Sequence, residues 1–474
     1  MTVAGPPPSL DYHEAVAALA DRGRFGVRLG LGRTRALLQA LGDPQLAVRG
    51  ALVAGTNGKG SVLALAAAAL GAAGSRVGLT PKPHLVSYRE RIMVDGRPIG
   101  AADFARHVGE VLTVAGRVAR RHGDPTEFEL LTAVVFRHFA EASLDVVLVE
   151  VGLGGRLDAT HAWDGGVAAV TNVALDHTDR LGSTLTAIAR EKAAIIERGD
   201  VAVTGASGEA LEIIRRRARR VGAPLSVVEE PPLLGMDAEG IVVDLPRLGP
   251  TRVGLAGRHQ AGNAAVADAI LDGLESAGIA TASADARRRG YASAAWPGRL
   301  EWITAPRGGR VLLDGAHNPA GAAALAVALD DLLPFLHGDG GEQPPVTLVT
   351  ASMDDKDIEG VVAGLSASRA LEGAAVIATT PGAMPRAMPA AEVAEVWRRT
   401  APRIGVVSTV DDPVSAVDRA IEQGRGHGLT VVAGSLYLVG AVRAHLTDDP
   451  ELRDPEPGSV PPEPASVPAE RTGR

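Results

Sequence analysis

The chain has 474 residues, a net charge of −8, 46% apolar residues and no cysteine. That length is enough for two or three domains with large cores, and the missing cysteine excludes disulfides, a thiol nucleophile and a thiolate-held metal. A basic block that would suit nucleic acid, a long uncharged apolar run that would span a membrane and a charged-then-apolar leader are all absent, so a cytoplasmic protein with neither kind of partner is expected.

Met1 to Leu10 is proline-rich and reads as loose. Tyr12 to Ala20 and Arg33 to Leu41 carry apolar residues at helical spacing, with Leu29 to Arg33 as a loop between them. Ala51 to Ala54 is an apolar run expected as a buried strand. Gly55, Thr56, Asn57, Gly58, Lys59, Gly60 and Ser61 follow, then Val62 to Ala69, all Ala, Leu and Val, expected as a helix inside a core. Strand, glycine loop and buried helix make a phosphate cradle. Glycines let backbone N–H groups turn toward an anion, and the helix N-terminus adds positive partial charge. Lys59 reaches the outer phosphates and the Ser61 hydroxyl can hold Mg²⁺. The fit to G-x-x-x-x-G-K-[ST] is imperfect: Val53 stands where the first glycine falls, and Gly60 separates Lys59 from Ser61. A plain glycine turn is the competing reading, and the order of strand, lysine, hydroxyl and helix speaks against it.

Arg76 to Thr80 starts a second strand, and the prolines around Lys82 and His84 keep the next stretch from starting as a helix. Asp103 to Arg121 and Phe128 to Ala142 read as helices. Asp145 to Glu150 is a strand, apolar between its two ends, leading into the glycine loop from Gly152 to His161. Glu150 therefore sits where open α/β sheets bind ligands, at a strand's carboxyl end. Val167 to Val173 is another buried strand, ending before Asp176 and His177. Ser183 is expected to cap a helix from Thr184 to Arg198, closed by Gly199. Leu185, Ile188, Ala189, Lys192 and Ile196 share one face of it, which puts Lys192 in an apolar stripe. Burial lowers an amine's pKa, and a neutral amine can take up CO₂ as a carbamate and become an anionic metal ligand. A lysine snorkelling to the helix edge is the alternative, and spacing does not choose between them.

Gly205 to Val221 reads as an arginine-rich helix, Pro224 to Val228 as a strand, and Gly240 to Leu255 as a β-hairpin turning at Pro246 to Pro250. Gly257 to Asn263 opens a helix running to about Gly278. Trp296 to Trp302 looks like a junction, after which strands and helices alternate again. The strands are Arg310 to Leu313, Val346 to Ala351, Ala374 to Thr380 and Thr430 to Ala433. Such alternation means a second parallel sheet. From about Thr447 the chain is Pro, Glu, Ser and Ala without periodicity, and disorder is expected. Across the whole chain Lys59, Lys82, Lys192 and Lys356 are the only lysines. A chain that uses arginine wherever positive charge suffices keeps lysine where a compact, deprotonatable amine is needed.

Taken together the motifs resemble the folylpolyglutamate synthase and dihydrofolate synthase family of the Mur ligase superfamily. They are Gly55 to Ser61, Pro83 to Leu85 with Arg89 to Ile92, Glu150 to Thr160, Asp176 with His177, and Glu191 with Lys192. His259 and Gln260 with Asn263, Trp296 to Glu301, Leu313 to Pro319, Met353 with Asp355 to Asp357, and Gly434 to Gly440 complete the set. The resemblance implies an α/β fold: an N-terminal P-loop ATPase domain over residues 1–296, a C-terminal Rossmann-like domain over 297–446, and a disordered tail over 447–474. It implies an ATP-dependent acid–amino-acid ligase that adds L-glutamate to dihydropteroate, to reduced folate, or to both, through an acyl phosphate. Lys59 and the loop amides would hold the phosphates, with Ser61 near Mg²⁺. Glu150, His177 and a carbamylated Lys192 would ligate metal. Asn263, Arg299 and Asp314 would contact ATP, and His317 would face the glutamate. Phe128, Leu157, Asp158 and Ala159 would form the pterin pocket, with His84 beside it. A monomer working on small molecules is implied.

Three positions depart from the family pattern. Lys82 stands where the family has a serine that approaches a metal, His161 replaces an asparagine beside the pterin pocket, and Ala194 replaces a glycine. An ammonium cannot be a ligand, so Lys82 supplies charge in place of that ion, reads a group on a different substrate, or is a solvated loop lysine. A paralogous ligase acting on another carboxylate is therefore the first alternative. A nucleotide-binding protein that no longer ligates is the second; Glu150, His177, Lys192 and His317 together argue against it, because binding alone does not need them.

Overall fold

Eight strands share the first sheet of the computed structural model. In spatial order they are Arg97–Pro98, Met93–Val94, Val77–Thr80, Val146–Glu150, Gly50–Ala54, Gly166–Val170, Val201–Thr204 and Leu225–Val227. The structure describes residues 9–23, 28–306, 308–335, 344–382, 386–424 and 427–455. The six long strands run parallel, and the two-residue pairs at one edge are antiparallel. Every residue of Gly50–Ala54 and Val146–Glu150 is buried, because both sheet faces are covered. Side chains alternate across a strand. Ala51 and Val53 therefore pack against helices Lys59–Ala72 and Gln260–Ser276, while Leu52 and Ala54 pack toward helices Ala101–His122 and Glu127–Glu141. Register pairs Val53 with Glu150 and Ala54 with Val170. The loops after these three strands consequently open along the same edge.

A three-stranded antiparallel sheet, Leu233–Asp237, Gly240–Leu245 and Gly249–Val253, leads out of the first sheet. The third sheet has the order Glu301–Thr304, Arg310–Leu313, Leu429–Ala433, Val346–Thr350, Ala375–Ala378, Val407–Thr409. Its first strand is antiparallel and the rest are parallel. Among the described residues no helix is long and apolar enough to cross a membrane.

The expected elements recur with specific corrections. Val201–Thr204 and Val407–Thr409 are strands, and Ala284–Ser293 is a helix, where none was expected. The hairpin gains a third strand from Leu233–Asp237. Thr184, not Ser183, caps its helix by accepting from Ala187 N at 3.2 Å, and that helix stops at Ala193. The strand after Gly166 ends at Val170. The structureless stretch expected from Thr447 falls outside the described residues beyond 455. From Glu451 to Pro455 the chain lies against the first unit: Arg89 Nη2 donates to Glu451 O and Arg453 O, and Ser87 Oγ to Asp454. The expectation for Met1 to Leu10 likewise falls mostly outside the described residues.

Candidate active site

The glycine loop is tied to the strand beside it. Asn57 N donates to Asn172 Oδ1 at 2.9 Å, Thr171 Oγ1 to Asn57 O at 2.7 Å, and Thr56 Oγ1 to Ala174 O at 3.1 Å. Gly58 is left-handed, with φ of 81° at the N-cap of the helix that begins at Lys59. A Cβ there would sit 2.3 Å from Asn263 Oδ1, so glycine is required both for conformation and for the approach of Asn263. Gly60 approaches Trp296 in the same way, with a Cβ falling 2.6 Å from the indole nitrogen. Lys59 Nζ folds back onto Gly55 O and Thr56 O at 3.1 and 3.2 Å, and Lys192 Nζ donates to Gly55 O at 2.8 Å. Ser61 is buried in the first turn.

Glu150 closes the cradle. Its Oε2 accepts from Lys82 N at 2.9 Å, and Lys59 Nζ stands 3.9 Å from Oε1, which accepts no hydrogen bond among the described residues. Burial raises its pKa against the pull of Lys59. Burial, assisted by Lys59, lowers the Lys192 amine to about 7, which leaves a neutral fraction at physiological pH. His177 is held below its ordinary value by burial and by Lys356. Asp176 shows the reverse balance: burial opposes its charge, but Lys356 and His177 outweigh it and hold the carboxyl well below the usual range.

The second sheet-bearing unit reaches the same cleft. Lys356 Nζ donates to Asp176 Oδ1 at 2.9 Å and lies 3.4 Å from His177 Nε2. Asn318 Nδ2 donates to Asn57 Oδ1 at 3.0 Å and to Asp176 Oδ2 at 3.1 Å. Asp314 accepts from Leu300 N and Ala316 N, which fixes the Trp296 to Leu300 junction against the strand end. Arg299 packs on Gly315 and donates to Gly298 O at 2.9 Å, and its charge is felt at Glu150. His317 Nδ1 lies 2.7 Å from Gly315 O. Burial, then Lys356, lowers its pKa to about 4. The neutral ring therefore carries its proton on Nδ1 and its lone pair on Nε2.

Beside the cradle a recess is lined by Thr80, Lys82, Arg91, Phe128, Leu131, Thr132, Val135, Phe136, Val149 and Thr160. Lys82 Nζ stands 4.5 Å over the Phe128 ring and donates to Glu150 O at 2.7 Å. Burial lowers the amine to about 8 against the charges of Asp158 and Glu150. Of the residues expected to hold the acyl acceptor, Lys82 and Phe128 line this recess; His84, Leu157, Asp158, Ala159 and His161 do not. Asp158 instead caps the short turn from Ala159 and accepts from Leu153 N and Thr160. His161 bonds to Arg156 O and faces Glu197 at 3.4 Å. His84 accepts from Arg91 Nε at 2.8 Å and stays neutral, pushed down to about 3 by burial and then by Arg91.

The phosphate loop, Glu150, His177, Lys192, Asn263, Arg299, Asp314 and His317 surround one cleft. Sequence reasoning assigned no site role to Asn172, Asn318 or Lys356. Lysine scarcity was the signal that could have found Lys356, since all four lysines contact this region: Lys59 and Lys192 the loop, Lys82 Glu150, and Lys356 Asp176.

Two family models match the chain: the Mur ligase middle domain over residues 53–230 and the Mur ligase glutamate ligase domain over 298–436. A dihydrofolate synthase/folylpolyglutamate synthase of Bacillus subtilis is 33% identical over 446 residues, 92% of this chain and 99% of that one. A probable bifunctional folylpolyglutamate synthase/dihydropteroate synthase of Haloferax volcanii is 36% identical over 458 residues, and there the chain spans 51% of the relative's length. Among solved structures, a bifunctional folylpolyglutamate synthase/dihydrofolate synthase of Yersinia pestis complexed with AMPPNP and Mn ion superposes with a TM-score of 0.76. It is 30% identical, covering 93% of this chain and 99% of that one.

Proposed function

The chain belongs to the folylpolyglutamate synthase/dihydrofolate synthase family of the Mur ligases, and on that premise we propose that it joins L-glutamate to a pterin-bearing carboxylate at the expense of ATP. The observation that carries this reading is the gathering of all four lysines about the glycine loop and its neighbours, Lys59 and Lys192 bonded to the loop, Lys82 to the buried Glu150 and Lys356 to Asp176, where two largely parallel sheets present their carboxyl ends. Binding alone does not need that set.

The chemistry has two displacements. A carboxylate oxygen of the acceptor attacks the γ-phosphorus of ATP, and the bond to the bridging oxygen breaks to release ADP. The amine of L-glutamate then attacks the acyl carbon of the acyl phosphate, and inorganic phosphate leaves. Loop amides and Lys59 hold the nucleotide in line; Lys59 exchanges its two loop carbonyls for phosphate oxygens. Fixing both reactants in this geometry removes much of the entropic barrier. His317 Nε2 can accept the proton that the nitrogen sheds once it has bonded to the acyl carbon, where that N–H is strongly acidic, and Asn263, Arg299 and Asp314 position the nucleotide between the units.

A divalent cation such as Mg²⁺ fits this cleft, because Glu150 offers an oxygen with no hydrogen-bond donor and Ser61 and His177 add a hydroxyl and an imidazole. When bound, Mg²⁺ would neutralise phosphate charge. The buried Lys192 amine, combining with CO₂ and releasing a proton, would add an anionic oxygen donor to that set. Residues 1–296 and 297–446 are taken as the two working units. The proposed site residues all come from one copy, which supports action as a monomer.

A mass-spectrometric ligation assay tests the reading. Protein, ATP, Mg²⁺, bicarbonate and L-glutamate are offered dihydropteroate and tetrahydrofolate separately. A glutamyl adduct with matching ADP is expected. An intact, ATP-binding protein that forms no adduct with either would move the assignment to a paralogous ligase for another carboxylate.

A further inference from the structure

After the last helix, Leu436–Leu446, the chain crosses back onto the first unit and lands on a buried cation. Arg89 is 8% exposed. Its Nη2 donates to Glu451 O at 2.6 Å and to Arg453 O at 2.8 Å, and its Nη1 to Ile99 O at 3.4 Å. Its Nε makes no hydrogen bond among the described residues. Asp454 Oδ1, 3.6 Å from that Nε, is the one carboxylate among those residues in ion-pair range of Arg89. Arginine is almost never buried without a partner, so Arg89 depends for its counter-charge on the segment that follows the C-terminal unit. Ser87, buried as well, donates from Oγ to Asp454 Oδ1 at 2.6 Å and lies 3.2 Å from the Tyr12 hydroxyl. His13 bonds to Pro455 O. The exposed Arg97–Glu451 pair at the edge of this contact adds little.

Ser87 and Arg89 belong to a loop with one end in the cleft. Lys82 N donates to Glu150 Oε2 at 2.9 Å. The Glu90 carboxylate gathers Leu85 N, Val86 N and Ser87 N at 3.2, 2.7 and 2.6 Å, which braces the loop as one piece. The C-terminal unit holds that piece from two sides. Helix Leu436–Leu446 lies so close that a Cβ on Gly440 would fall 1.9 Å from Leu85 O, and Leu85 packs on the core beneath the helix. The segment from Glu451 to Pro455 grips the other side, at Ser87 and Arg89.

We propose that Glu451 to Pro455 is a strap that fastens the loop from Lys82 to Ile92 to the C-terminal unit, and that Arg89 is the positioning residue it fastens to. Through Lys82 the strap keeps the Glu150 carboxylate in place and the two units closed on the nucleotide. Removing one partner of a buried ion pair leaves the other charge uncompensated. Without Asp454 the loop therefore lifts, carrying Arg89 toward water, and the cleft opens. Nucleotide leaves as the strap lets go. The proposal rests on the nucleotide-binding reading of the cleft and is independent of which carboxylate the protein takes.

The test uses the full chain with Mg²⁺ and a fluorescent ADP, and no acceptor. Amide hydrogen exchange over residues 84–92 is read by mass spectrometry and ADP release by stopped flow. Asp454→Ala should raise exchange in the loop at least about tenfold and speed ADP release several-fold. Exchange in strand Val201–Thr204, toward the opposite edge of the sheet, should stay as in the wild type and shows that the variant is folded. Asp454→Glu, which keeps the charge, should retain most of the protection. Arg89→Met removes the charge that the strap compensates, so adding Asp454→Ala to it should leave exchange and release within about twofold of Arg89→Met alone. Loop exchange unchanged in Asp454→Ala, or raised while ADP release stays the same, would overturn the proposal, the second outcome making the contact a structural one only. Additive effects in the double variant would remove Arg89 as the fastening point. A wild type that binds no ADP would overturn the nucleotide reading and this inference with it.

Discussion

In the phosphate loop, Thr56, Asn57, Lys59 and Lys192 all have partners, most of them main-chain carbonyls or the fixed side chain of Asn172. Along the same sheet edge, Thr80 Oγ1 has none among the described residues, and Lys82 Nζ stands over the Phe128 ring. On the proposed reading the first region grips the phosphate chain of ATP, and main-chain geometry can prepare it in advance. On the proposed reading the second lies nearer the carboxylate-bearing substrate, and its side chains are less fully bonded. The two regions should therefore answer mutation differently: the loop through catalysis and folding, the region at Thr80 by tolerating change.

The largest effect belongs to the loop. Lys59→Met should lower ligation on the order of 10²–10³-fold, the scale of removing one fixed electrostatic contact to a transition state. Ligation within tenfold of wild type would break the comparison. Lys192 comes next. With ¹³C-bicarbonate, a carbamate carbon signal is expected in the wild type and absent in Lys192→Met, together with at least about a tenfold loss of ligation. A wild type without the signal would leave Lys192 as a buried amine on Gly55 O and nothing more.

Lys356 tests how the second unit is coupled to the first. Its pair with Asp176 leaves the two side chains 11% and 12% exposed, so breaking it should cost about 2 kcal/mol, less than the ~3–5 kcal/mol of a fully buried pair. The sign of the pH dependence follows from Asp176, whose folded pKa is depressed. Its contribution is complete above the unfolded value near 4 and is lost as pH falls through the folded one. Thermal unfolding should show Lys356→Met losing most at pH 7 and least in strong acid; equal losses at both would remove the pair from the account.

How much of this was legible in the sequence depends on range. The glycine loop, the apolar strands and Glu150 at a strand end were readable because each is a local pattern: a run, a spacing, a residue type at a boundary. Val201–Thr204 was missed because it is short and, unlike Ala51 to Ala54 or Arg310 to Leu313, leads into no recognisable motif. The cap fell on Thr184 because two adjacent hydroxyls, Ser183 and Thr184, satisfy the same rule and only backbone geometry decides between them. The Asp176–Lys356 pair spans 180 residues, and no local pattern encodes it; only lysine scarcity singled out one partner. Asp158 shows what a pattern leaves out. Family pattern places it at a pocket, and the structure adds that its carboxylate also caps the local turn by accepting from Leu153 and Thr160.

Backbone strain gives a smaller effect, again on the loop side. Gly58 has φ of 81° and Asn263 Oδ1 where a Cβ would go. Gly58→Ala should cost about 1–2 kcal/mol for the left-handed conformation alone, with weaker ATP binding as Asn263 is displaced. Unchanged melting and ATP affinity would show that the loop is less fixed than its hydrogen bonds imply.

Thr80→Val makes the smallest change and divides the two regions most sharply. The substitution keeps shape and removes a hydroxyl that has no protein partner among the described residues. Deleting a satisfied buried hydroxyl normally destabilises by about 1 kcal/mol, but deleting an unsatisfied one removes a desolvation cost instead. Thr80→Val should therefore melt at or slightly above the wild-type temperature. The void beside it has room for about one water. A fall in melting temperature instead would show that a water held there satisfies the hydroxyl, and that this region is as fully bonded as the glycine loop.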